Sequence, residues 1–168
     1  LTDSNNATIR LFTYQDAAPW PGRADGNGSS LELLDHAGDY SDGANWRNSV
    51  NYGGTPGTAG LAQAPGIVIN EVLTHTDPPL YDSIELHNPT ASAISIGGWY
   101  LSDSDARYKK YRIPTGTTLA AGSYITFNEA NHFNTSGGVN TNDFSFDGAH
   151  GDDVWLLQAN AQSNLVAF

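Results

Sequence analysis

Residues 67–127 read IVINEVLTHTDPPLYDSIELHNPTASAISIGGWYLSDSDARYKKYRIPTGTTLAAGSYITF. Aliphatic and aromatic side chains recur there at every second position. Ile84 and Leu86 alternate with Glu85 and His87, and Ile94 and Ile96 repeat the pattern. Tyr111 and Ile113 continue it until Pro114 stops it, and Ile125 and Phe127 alternate with Tyr124 and Thr126. A period of two puts alternate side chains on opposite faces of a strand, one dry and one wet. Ile67 to Leu73 is a nearly continuous apolar run, which suits a strand buried on both sides or against a partner sheet. Turn residues separate these runs: Asn88-Pro89, Gly97-Gly98, Pro114 with Gly116, and Ala121-Gly122. Trp99 follows the glycine pair and brings a large apolar body with one N–H that needs a partner.

The pattern continues on both sides. Val154 to Leu157 and Leu165 to Phe168 read as a final strand pair, turned by ANAQSN. Upstream, Ile9 and Leu11 alternate with Arg10 and Phe12, and Leu31 and Leu33 flank Glu32. DAAPWPGRADGNGS between them is a loop, in which Asn27-Gly28 signals a tight turn. NYGGTPGTAGLAQAPG reads as a linker, so the chain divides into an N-terminal β segment at 1–60 and a larger domain at 66–168. No window of helical period occurs, which limits helix to short turns.

IVINEV, SIELHNPT, GGWYLSD and YRIPTGTTLAAGSYITF, in this order, resemble the lamin-tail domain. The resemblance covers about 100 residues, a common domain size. It implies an all-β, immunoglobulin-like antiparallel β-sandwich, here preceded by the N-terminal β segment. It also implies that Trp99 is structural and sits in the core with Ile84, Leu86, Ile113 and Phe127. A weak echo joins the two ends of the chain: residues 1–12 align on 157–168, with Leu1 on Leu157 and Phe12 on Phe168. Residues 1–14 therefore look like the closing hairpin of a preceding lamin-tail copy, the alternative being extra strands on the visible sandwich. The chain opens on Leu1 and holds no Met, which reads as a fragment or a processed product.

Composition narrows the partners. With 7 Lys and Arg against 18 Asp and Glu, the net charge is −11. Counterion release at phosphates needs basic residues, so nucleic acid and anionic membrane surfaces are not expected. Cysteine is absent, which rules out disulfides and thiolate metal sites. No stretch has the length of a membrane span.

The acidic surplus points to cations. Asp103 and Asp105 in SDSD, and Asp147, Asp152 and Asp153 in DGAHGDD, are calcium candidates, because calcium takes six to eight oxygens from flexible acidic loops. The same residues are also the default turn formers. Asp25, Asn27 and Ser29 match the start of an EF-hand loop, but Ser30 and His36 stand where Gly and Glu are needed. His36, His75, His87, His132 and His150 lack metal-site spacing, although neighbouring strands would bring His75 and His87 together. No G-x-S-x-G elbow occurs, and a carboxylate pair such as Glu85 with Asp82 could flank a sugar bond, although Glu85 on the wet face of a strand reads as an ordinary solvated carboxylate. Trp20, Tyr40, Trp46, Tyr52, Tyr81 and Tyr108 lie in loops and suggest a sugar-binding platform; alternatively, Trp20 and Trp46 anchor the N-terminal segment. Lys109 and Lys110 read as exposed, which disfavours an isopeptide cross-link.

The expectation is a non-catalytic interaction, targeting or spacer module of a larger bacterial protein, extracellular or at the cell surface. A protein or glycan partner and adjacent domains of the same polypeptide follow from the resemblance. The alternatives are a carbohydrate-binding module and a calcium-stabilised adhesion-type domain.

Overall fold

A computed structural model describes residues 1–60, 66–138 and 140–168. Part of the expected linker, residues 61–65, lies outside the described residues. Contacts divide the chain into two compact units, Leu1–Ala62 and Gln63–Phe168.

The first unit is built on one short hairpin, β1 (Leu31–Leu33) with β2 (Trp46–Asn48), in which Leu31 faces Asn48 and Leu33 faces Trp46. Aliphatic residues are few here, and aromatic rings supply the packing. Trp46 stacks on Phe12 at 5.2 Å and on Trp20 at 6.0 Å, and Tyr40 meets it edge-on at 6.0 Å. A Cβ on Gly43 would come within 3.0 Å of the Trp20 ring, so only glycine lets Trp20 bury itself there. The strand expected at Ile9–Phe12 does not form. The only pairing described in residues 1–12 is a bridge from Thr2 to Thr8 with hydrogen bonds between Leu1 and Ile9 or Arg10. Ile9 and Leu11 stay 58% and 84% exposed. Alternation makes a strand only where a neighbour takes its amides and a dry face lies beneath it.

The second unit is an antiparallel sandwich. Its strands are β3 (Val68–Leu73), β4 (Ser83–His87), β5 (Ile94–Ser95), β6 (Tyr100–Ser102), β7 (Tyr111–Arg112), β8 (Thr118–Leu119), β9 (Tyr124–Asn128), β10 (Trp155–Ala159) and β11 (Leu165–Ala167). One layer has the order β3-β4-β9, the other β11-β10-β6-β7, and β5-β8 forms a small third sheet. The expected final pair is present as β10 and β11. Helix is limited to short turns, including a wide one at Glu129–Phe133.

The core lies between the layers. Ile84, Leu86 and Phe127 from one layer meet Leu101 from the other, with Ile96, Trp99, Ile113, Leu119 and Phe133 around them. Ile84, Leu86 and Ile113 are fully buried, and Trp99 and Phe127 nearly so. The Gly97-Gly98 break makes this possible. A Cβ on Gly97 would sit 2.7 Å from the Gly116 nitrogen, and Gly98 holds φ at +88°, which completes a turn from Ile96 to Trp99.

β3 takes the second of its two expected forms, one face packed against the partner sheet. Ile69 and Val72 pack on the core, but Asn70, Glu71 and Leu73 are exposed. The register slips between Ile69 and Glu71, so Asn70 is an extra residue and both polar side chains fall on the wet face. β3 lies at the edge of its layer and buries one face.

Tyr111 is half-buried against Phe127 and His132, with ring centroids at 5.8 and 6.2 Å. Burial raises its phenol above the ordinary tyrosine value of 10.0. The folded state then resists ionisation that the unfolded chain allows. Stability is retained up to the unfolded value and falls as pH rises through the folded one. The urea midpoint is expected to hold to about pH 10 and to decline above it. Tyr111→Phe is expected to blunt that decline.

Candidate functional site

Three loops carry most of the chemistry found by sequence reading. The first joins β6 to β7. Ser102, fully buried, donates its hydroxyl to the carbonyls of Ser104 and Arg107 at 3.1 and 2.8 Å and accepts the Ser104 amide. Asp103 forms an ion pair with Lys110 across the loop. Lys110 is 18% exposed and paired with Asp103, so the expectation of a solvent-exposed lysine is corrected. Lys109 is exposed, with its ammonium 6.0 Å from the Tyr100 ring. Asp105 is exposed at the loop tip.

The second loop precedes β10. Asp147 accepts the amides of Ala149 and His150 at 3.3 and 3.2 Å, and the His150 Nδ1 lies 3.0 Å from both of its oxygens. Asp152 accepts the amides of Asp147 and Asp153 at 3.0 and 2.8 Å. Asp153 accepts the Trp155 indole N–H at 3.4 Å. These carboxylates shape the loop by taking its own donors. A hollow of about 290 Å³ lies beside it, lined by Val72, Phe146, Asp147, Asp152 and Val154. Among the described residues, no group of three or more His, Asp or Glu side chains is arranged to hold a metal ion. A calcium chelator is expected to leave the thermal midpoint unchanged; a fall of several degrees would mean that these loops hold a cation.

The third region brackets β4. At one end Asn88 is fully buried. Its side-chain amide donates to the carbonyls of Ser92, Leu119 and Ala120 at 2.8, 2.9 and 3.1 Å. Its side-chain oxygen accepts the Thr90 amide and hydroxyl at 3.1 and 2.7 Å. At the other end Asp82, 6% exposed, accepts the Thr76 amide and hydroxyl at 3.0 and 2.8 Å. Sequence reading treated Asn88 only as a turn opener and missed this hub, because its acceptors lie up to 32 residues away.

The histidines are dispersed. His75 lies past the end of β3 that pairs with Ser83, and His87 pairs with Val68 at the opposite end, so antiparallel register keeps them apart. His87 stacks on Tyr124 at 4.1 Å and 7° on the wet face of the β3-β4-β9 layer. His132 accepts the Asn128 amide on Nδ1 at 3.0 Å. Glu85 accepts from Asn70 at 2.8 Å on the wet face, while Asp82 serves Thr76, so the two carboxylates have separate tasks.

The six aromatics expected in loops do not share one platform, and Trp46 opens β2 instead of lying in a loop. Trp20, Tyr40 and Trp46 pack together in the first unit. Tyr108 is buried in the second, edge-on to Trp155 and Phe168 at 5.2 and 5.3 Å. Tyr52 and Tyr81 are each 44% exposed. The first unit also has a hollow of about 560 Å³ lined by Leu31, Leu33, His36, Pro56 and Gly60, where Arg47 pairs with Glu32 at 3.0 Å and neutralises it. No helix among the described residues is long and apolar enough to cross a membrane.

The family model of the lamin tail domain matches residues 61–167, which is more than half of the chain. No curated protein and no solved structure matches it. The chain belongs to the lamin tail domain family, whose immunoglobulin-like domain is non-enzymatic.

Proposed function

We propose that the sandwich is a rigid spacer and adaptor within a larger bacterial protein, extracellular or at the cell surface, meeting a protein partner through its loops or its wet sheet face. One observation carries the reading. The buried polar side chains Asn88, Asp82 and Ser102 bond the backbone of connecting loops, with Asn88 also reaching across to Leu119 and Ala120. Buried polar groups held this way fix loop shape. Deleting residues 63–168 from the parent polypeptide is expected to spare turnover by its other domains and to abolish retention at the surface. Lost turnover with retention intact would overturn the reading.

A second reading, sugar binding, draws on the His87–Tyr124 stack beside Glu85 and Thr126, because an exposed ring with polar neighbours suits a sugar face. A glycan array without hits would retire it.

A further inference from the structure

The chain contains two hairpins built to the same plan. In the first, the Asp3 amide donates to the Ala7 carbonyl at 2.9 Å and the Asn6 amide to the Asp3 carbonyl at 3.1 Å. Asp3 Oδ1 accepts the amides of Asn5 and Ala7 at 2.8 and 2.9 Å. In the second, the Asn160 amide donates to the Asn164 carbonyl and the Ser163 amide to the Asn160 carbonyl, both at 2.9 Å. Asn160 Oδ1 accepts the amides of Gln162 and Asn164, both at 3.0 Å. The fourth loop residue is left-handed in each, Asn6 at φ 62° and Ser163 at φ 63°. Non-glycine residues seldom adopt that conformation.

The pairing agrees as well. Thr2 bridges Thr8, as Ala159 pairs with Leu165. Leu1 and Arg10 exchange hydrogen bonds, as Gln158 stands opposite Ala167. Both hairpins then carry one extra residue on the returning strand, Ile9 in the first and Val166 in the second. Asp3 corresponds to Asn160 and every other match keeps that offset, so the alignment of Leu1 on Leu157 is corrected by one residue. Leu1 matches Gln158, and Leu11 matches Phe168.

The two hairpins differ in what covers them. β10 is hydrogen-bonded to β6, and Leu165 and Phe168 pack with Tyr100, Tyr108 and Leu157. Leu1, Ile9 and Leu11 are 83%, 58% and 84% exposed. Arg10 replaces the buried Ala167 and lies 4.1 Å from the Tyr40 ring. A two-stranded hairpin is barely stable in water on its own, and this one presents apolar side chains with nothing over them.

We propose that residues 1–11 are the closing hairpin of a second lamin-tail sandwich on the N-terminal side of this one in the parent polypeptide. Leu11, which stands where Phe168 packs on Tyr108 here, is the side chain that sandwich covers. The proposal deepens the spacer reading, on which it rests for the idea of an array, since it makes the parent a tandem of one fold.

The test compares this chain with the parent polypeptide extended upstream by about 100 residues, one domain length. Amide exchange at Asn6, Ala7 and Arg10 is expected to slow by about 100-fold in the extended protein, as amides move from a frayed end into a packed sheet. Leu11→Asp in the extended protein is expected to lower melting of the upstream unit and leave that of Gln63–Phe168 unchanged. Should that variant fail to fold, the exchange comparison on the unaltered proteins decides. Equal exchange in both proteins would overturn the proposal. So would protection by an upstream segment that is not a β-sandwich, or self-association of this chain that buries Leu11. Surface retention plays no part in these readouts, so failure of the spacer reading would show separately.

Discussion

Replacing Asn88 by alanine is expected to destabilise the sandwich by about 4 kcal/mol. The side chain satisfies three carbonyls and one amide of loops on both sides of it, and accepts the Thr90 hydroxyl as well. Truncation leaves those backbone groups without a partner in a place where no solvent reaches the side chain. Each orphaned group costs about 1–3 kcal/mol, which is why the loss exceeds that of one ordinary hydrogen bond. Two further variants separate the causes. Asn88→Leu restores volume but none of the bonds, and should be about as damaging as alanine. Asn88→Asp keeps the size and the acceptor but turns a carboxylate toward three carbonyl oxygens, and should be worse. Urea unfolding decides: the midpoint should fall with little change in slope. A loss under about 1 kcal/mol for all three would mean that the loops are held by other contacts.

The second large effect is expected at Phe133. It is fully buried, stacked on Phe144 at 4.5 Å and edge-on to Phe146 at 5.7 Å. Its carbonyl also accepts the Phe144 amide at 2.8 Å, so ring and backbone join the same two segments. Phe133→Ala should destabilise by about 4 kcal/mol, and Phe133→Leu by about 1.5. Either of the large losses consumes much of the 5–15 kcal/mol that a domain has. Phe133 follows the end of β9 that pairs with Ser83, whereas Asn88 follows the other end of β4. Such distant sites should act additively, and combining Phe133→Leu with a mild change at Asn88 would test that in one denaturation series.

The sandwich was legible where strands pair. Ile84 and Leu86 on β4 face Phe127 and Ile125 on β9, and a two-residue period has only one way to bury such a set. The Phe133–Phe144–Phe146 cluster was not read, because its rings come from a helical turn and a loop with no common period. The spacing of Phe144 and Phe146 around Ser145 was the available signal. β3 left two readings open because an aliphatic run looks the same whether both faces are dry or an added residue has turned part of it outward. The acidic loops were ambiguous for a chemical reason: Asp and Gly build tight turns and cation sites alike, and only the donors around each carboxylate tell them apart. Asn88 was seen as punctuation because its partners are remote in sequence, and the Asp103–Lys110 pair because two half-buried charges resemble two exposed ones until a hairpin joins them.

The extra residue in β3 has a consequence for crowded surroundings. A straight outer strand offers a row of free amides and carbonyls on which a neighbouring molecule can stack indefinitely. With Asn70 pushed out, that row is interrupted midway, and Glu71 sits across from Glu85, so an approaching copy meets bent backbone and negative charge. The interruption is therefore expected to disfavour edge-to-edge pairing between neighbouring copies.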